Sequence, residues 1–190
     1  MNYDKQLQRA RARTVALGYC AAPACAAEPV AVKPLFEAID SFAVARQALA
    51  RRIARPAGCD VAAECARLVL ACTAPFNDAI GRRATLTLGS VDYHGTQILR
   101  ADLDDVAELR RRACYHVWWS LGAEQIVDLT LMAHLALLKG GQPRTIVPLV
   151  GAPAAFAAIR WHPHLTGEAV ITALTGAVTC AASGPFSPGR

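Results

Sequence analysis

Cys114-Tyr115-His116-Val117-Trp118-Trp119-Ser120, then Leu121-Gly122-Ala123-Glu124, then Gln125-Ile126-Val127-Asp128-Leu129-Thr130 is the stretch on which the fold turns. Two runs rich in aromatic and β-branched residues flank a short link containing glycine, which is the signature of a β-hairpin. Side chains alternate faces along a strand, so His116 shares a face with Cys114, Trp118 and Ser120, and Asp128 shares one with Ile126 and Thr130. A three-residue loop of Leu121, Gly122 and Ala123 pairs Ser120 with Glu124 and sets His116 directly opposite Asp128. Opposed Cβ atoms lie about 4.5 to 5.5 Å apart, close enough for an imidazole to meet a carboxylate. A two-residue slip in register would separate them, and a one-residue slip would put them on opposite faces.

Upstream of the hairpin, Ala84-Thr85-Leu86-Thr87-Leu88 alternates as a half-buried strand does, and Tyr93-His94-Gly95 turns into a short strand near Gln97 to Leu99. Further back, Pro34 opens a helix whose Leu35, Ile39, Phe42, Leu49 and Ile53 recur at helical spacing until Pro56 and Gly58. A second helix runs from about Asp60 to Cys72, with Asp60 as its cap. Residues 101 to 112 carry acidic groups early and Arg110, Arg111 and Arg112 late, the order that suits a helix dipole. Downstream come a helix from about Leu131 to Lys139, an apolar segment from Thr145 to Val150, a loop at Trp161-His162-Pro163-His164, and an apolar run from Ala169 to Val178. The expected architecture is therefore α+β: N-terminal helices packed on a small antiparallel sheet. Residues 1–32 form an N-terminal segment expected to pack loosely, 33–182 one domain, and 183–190 a flexible tail.

With 54% apolar and 18% charged residues, 190 residues suffice to bury a core. The apolar stretch from Thr145 to Ile159 is broken by Pro148 and Pro153, which excludes a spanning helix. The charge of +5 is dispersed over Arg pairs and triplets without interleaved aromatics, so nucleic acid is not the expected partner. Seven cysteines without a pairing pattern suggest mostly free thiols and a reducing, cytoplasmic setting. A basic stretch through Arg13, followed by small residues from Thr14 to Ala27, does imitate a weak secretory signal.

Cys59 stands just ahead of a helix, where unsatisfied amides and the dipole favour a thiolate. Cys65 and Cys72 lie two turns apart on one face and read as core thiols. No CxxC or HExxH occurs, and His162 and His164 have no Cys or carboxylate at useful spacing, so neither a metal nor any other cofactor is expected. His94 and His134 have no evident partner.

A cysteine at a helix start, then strands, then His116-Val117-Trp118 and Ile126-Val127-Asp128-Leu129-Thr130, resembles the transglutaminase-like, papain-related cysteine enzymes. The resemblance covers about residues 57 to 131. It implies Cys59 as nucleophile, His116 as general base and Asp128 as the acid that orients it, with Cys65 the reserve nucleophile. Asp128 is followed by Leu-Thr where Pro-Thr is common in that superfamily, and Cys59 is not followed by Trp. The expected function is hydrolysis or acyl transfer on an amide or thioester of a peptide or protein, with Trp118 bordering the substrate cleft. The alternative is a peptide-binding module on the same fold that turns nothing over.

Overall fold

Asp60 accepts a hydrogen bond from the Ala63 backbone N–H at 2.9 Å, and the helix it caps continues until Gly81 closes it at φ 65°. That helix organises a computed structural model in which residues 2–22, 29–54, 60–101, 104–122, 124–143 and 146–176 are described. The helices are α1 (Tyr3–Ala16), α2 (Val32–Asp40), α3 (Ala43–Ile53), α4 (Val61–Ile80), α5 (Val106–Arg112), α6 (Leu131–Leu138) and α7 (Glu168–Thr175). The strands are β1 (Thr85–Tyr93), β2 (Thr96–Leu99), β3 (His116–Leu121), β4 (Gln125–Asp128), β5 (Leu149–Gly151) and β6 (Ile159–Thr166). They form one antiparallel sheet in the order β2-β1-β3-β4-β5, with β6 also paired to β1. The chain is thus an α+β protein, and no helix among the described residues is long and apolar enough to cross a membrane.

Strand alternation divides the core in two. Val117, Trp119, Leu121 and Val127 point to the α4 side, where they pack with Ala62, Ala66, Val69 and Phe76. Trp119 stacks on Phe76 with ring centroids 4.1 Å apart and donates its indole N–H to Thr73 Oγ1 at 3.0 Å. Trp118 and Ile126 point the other way, into a cluster with Val91, Leu131, Leu135 and Trp161. A third cluster joins Leu49, Ala50 and Ile53 of α3 to Cys65 of α4 and Ala133 of α6.

Several elements differ from the sequence reading. The helix expected to begin at Pro34 and run on to Ile53 is broken into α2 and α3: Ser41 Oγ donates to the Ala38 carbonyl, and Phe42 leaves helical geometry (ψ 9°) as its ring turns toward Trp119. The helix from Asp60 continues past Cys72 and through Pro75 to Ile80, because Phe76 on its last turns is wholly buried against Trp119. Trp161-His162-Pro163-His164 is not a loop but the middle of β6. A register shift between Leu88 and Gly89 admits Pro163, which has no N–H to give to the ladder.

The N-terminal segment, expected to pack loosely, carries α1 seated along β6. Leu7 and Ala10 are buried, Thr14 Oγ1 accepts the Thr166 backbone N–H at 2.8 Å, and Arg13 bonds His164 Nδ1 at 2.8 Å. Val30 is pinned to β4, exchanging two hydrogen bonds of 2.9 Å with the Gln125 side chain. The expected tail at 183–190 lies outside the described residues.

Candidate functional site

The hairpin of β3 and β4 pairs Trp119 with Val127, Ser120 with Ile126 and Leu121 with Gln125. Relative to the sequence expectation the loop has moved one residue along the chain, and the register has therefore slipped by two. Leu121 belongs to the strand because it is buried with Val117 and Trp119, so Gln125, not Glu124, opens the return strand. His116 consequently sits diagonally from Asp128. The two still meet: His116 Nε2 lies 2.8 Å from Asp128 Oδ2, with both side chains fully buried. A diagonal offset of about 7 to 8 Å between backbones is within the reach of an imidazole.

Asp128 is held on all sides. Its Oδ2 also accepts the Trp161 indole N–H at 2.8 Å, and its Oδ1 accepts the Thr130 and Leu131 backbone N–H groups at 3.0 Å each, tying the carboxylate to the start of α6. Burial pushes its pKa up, but the His116 ring beside it and the hydrogen bonds from His116, Trp161 and Thr130 outweigh burial and hold it below the ordinary carboxylate value. An ionised carboxylate only accepts, so the bond fixes a proton on His116 Nε2 and leaves Nδ1 as the basic nitrogen. His116 Nδ1 has no hydrogen-bond partner among the described residues.

His134, given no role by the sequence, is the edge-on neighbour of His116, with ring centroids 5.2 Å apart and planes at 80°. Neither of its ring nitrogens has a partner among the described residues. Burial first, then the adjacent His116 ring, push its pKa down to about 3, so this ring is neutral. One signal pointed to it: His134 is the single polar side chain in the otherwise apolar helix α6. Trp161 was hidden inside an apparent loop, and nothing in the sequence marked Tyr3.

Trp118, expected to border a cleft, is fully buried; its ring stacks near His116 and its indole N–H is donated to Tyr3 Oη at 2.7 Å. Tyr3 Oη in turn is hydrogen-bonded to Ser120 Oγ at 2.7 Å, and Ser120 Oγ to Thr87 Oγ1 at 2.8 Å. Burial above all, with the Asp128 carboxylate adding to it, raises the Tyr3 phenol pKa, and the two hydrogen bonds lay α1's first turn against Trp118 and Ser120. A cavity of about 460 Å³ opens beside it, with Tyr3, Trp161 and His162 in its lining.

Cys59 lies outside the described residues. It directly precedes Asp60, the α4 cap, and burial, followed by the Asp60 carboxylate, raises the Tyr115 phenol pKa. The body of α4 packs on the sheet face opposite to His116. Cys65, the reserve nucleophile, is buried among Leu49, Ile53 and Ala133 in the interior of α4. Burial pushes the Cys72 thiol up to about 11. Among the described residues no three His, Cys, Asp or Glu side chains gather as a metal site requires. No family profile, curated protein or solved structure matches this chain.

Proposed function

We propose that the protein is a cysteine-dependent hydrolase or acyltransferase acting on an amide or thioester. The observation that carries this reading is the buried hydrogen bond from His116 Nε2 to an Asp128 held ionised, which leaves Nδ1 basic and unengaged among the described residues. A thiol nucleophile needs such a base, and the base needs a carboxylate to fix its tautomer. In this reading Cys59 Sγ gives its proton to His116 Nδ1 and attacks the carbonyl carbon. His116 returns that proton to the departing amine or thiol as the bond to it breaks. Water or an amine then attacks the acyl-enzyme, losing its proton to His116, and as the C–S bond breaks Cys59 Sγ leaves as thiolate and takes that proton back from His116.

A second reading, a binding module without turnover, draws on the complete burial of His116 and Asp128 and on the packing of α4 against the opposite face of the sheet. The rate of iodoacetamide labelling of each cysteine against pH, in wild type and in His116→Ala, separates the two. Fast labelling of Cys59, with an apparent pKa well below the free value of about 8.5 and slowed in His116→Ala, is the expected result. Slow labelling of Cys59, unaffected by that substitution, overturns the enzyme reading.

A further inference from the structure

β6 is an edge strand: among the described residues it pairs with β1 alone. Which way its backbone groups face follows from one bond just beyond its start. His94 N–H donates to the Ala158 carbonyl at 2.7 Å, so these two positions form a hydrogen-bonded pair of the antiparallel ladder. Counting along the register, Asp92–Arg160 and Ser90–His162 are bonded pairs too, while Ile159, Trp161 and Pro163 turn their backbone groups away from β1. Two details agree. Ile159 N–H goes to the Phe156 carbonyl and not to β1, and Pro163, which has no N–H, stands where the ladder asks for none. At the far end of the same edge the Thr166 N–H is taken by Thr14 of α1. Between them, nothing among the described residues bonds the outward N–H and C=O of Trp161.

This stretch of edge is a wall of the 460 Å³ cavity, whose lining takes in the four consecutive residues Ile159, Arg160, Trp161 and His162. Side chains alternate faces along a strand, so a space that touches four in a row runs along the backbone edge. We propose that the cavity is a docking site for a short extended peptide of another protein, which adds to β6 as a strand and exchanges hydrogen bonds with the N–H and C=O of Trp161. A main-chain donor and acceptor side by side on a strand edge are what a peptide backbone matches. The volume is that of a small-ligand site, enough for a few residues. His162 is committed to Asp92, and Asn2 to the Asp4 N–H. Glu124 and Arg160 bring one charge of each sign to the lining and enter no ion pair among the described residues, which suits a peptide carrying both Lys and Glu.

The probe is the capped peptide Ac-Lys-Val-Thr-Val-Glu-NH2, titrated into the full chain and followed by backbone amide NMR. At saturation, solvent exchange of the Trp161 amide is expected to slow by about tenfold or more, whereas the amides of Arg160 and His162, which already face β1, keep their rates. Strand addition also leaves its mark on the peptide. Only alternate residues of an added strand turn their N–H to the edge. N-methylation of the central residue, or else of the second and fourth, is therefore expected to weaken binding by about tenfold or more, and the other pattern by less than about twofold. No binding, no change at Trp161, or equal sensitivity to both patterns overturns the proposal.

Ala154→Trp, at an exposed lining position outside β6, fills the space and is expected to weaken the peptide by about tenfold or more. Unchanged affinity in the folded variant overturns the cavity as the site; should the variant not fold, the two N-methylated patterns decide. A second copy of this chain is the competing occupant. Protection of the Trp161 amide that grows with protein concentration, in the absence of peptide, gives the edge to self-association and overturns the peptide. The docking site stands on the sheet edge and involves no cysteine, so slow labelling of Cys59 leaves it in place.

Discussion

His116 and Trp161 share a single oxygen of Asp128, each 2.8 Å from Oδ2. A carboxylate at the crossing of two strands and a helix start therefore holds the tautomer of one ring and the orientation of another. Replacing it by Asn puts an N–H or a weaker acceptor where two N–H groups converge. Asp128→Asn is expected to cost about 3 kcal/mol, measured by denaturant unfolding. Trp161→Phe removes one donor only, with an expected loss of about 1 kcal/mol, and lets the Asp128 pKa rise. A neutral result for Asp128→Asn would mean that the carboxylate is not held as described.

His134 makes stability depend on acid. Its pKa in the folded protein, about 3, is depressed from the ordinary 6.5, so the unfolded chain takes up the proton first. The contribution is fully present above pH 6.5 and is lost as pH falls toward 3, at up to about 1.4 kcal/mol per pH unit. His134→Leu should abolish that slope and, by removing two unpaired buried nitrogens, leave neutral stability equal or about 1 kcal/mol higher. Acid unfolding with the same midpoint in both proteins would assign the titration elsewhere.

Gly89 faces His116 across the β1–β3 ladder and pairs on its other side with Pro163. A Cβ there would overlap the His162 carbonyl oxygen and come within 2.8 Å of Trp118 Cη2, both fixed in the sheet. Gly89→Ala is expected to lose more than about 3 kcal/mol and to broaden the His116 side-chain NMR signals. A melting temperature equal to wild type would show that β1 and β6 can part at this point without cost.

Trp119 joins the sheet to α4 by its stack on Phe76 and its hydrogen bond to Thr73. Thr73→Val keeps the shape and orphans the indole N–H, for about 1 to 3 kcal/mol. Phe76→Ala should cost about 3 to 5 kcal/mol through the cavity it leaves. If Thr73→Val were the costlier of the two, the polar bond and not the stack would be what anchors α4.

The hairpin was legible because its strands are written in β-branched and aromatic residues around a glycine, and so was the meeting of His116 and Asp128. The register was not, since Leu121 reads equally as loop or strand until the core that buries it is known. That the contact survives a two-residue slip comes from the length of the imidazole. The α2–α3 break was hidden because Phe42 keeps the helical apolar spacing while leaving the helix, and β6 was hidden because Pro163 reads as a loop residue until the irregularity in β1 that accommodates it is seen. Among the site residues, Trp161 reaches Asp128, and Tyr3 reaches Trp118 and Ser120, from far along the chain, and no local pattern encodes such a meeting.

The bond from the Thr166 amide to Thr14 spans 152 residues. On the ribosome α1 is made well before β6, the strand it lies against. At about 5 to 20 residues per second, the helix waits roughly 8 to 30 s for its seat. During that interval α1 has no β6 to lie along, so the contact of Tyr3 with the Trp118 and Ser120 face of the sheet is expected to close late in the making of the chain. A binding partner or a chaperone that recognises this face would meet it most often in newly made chains.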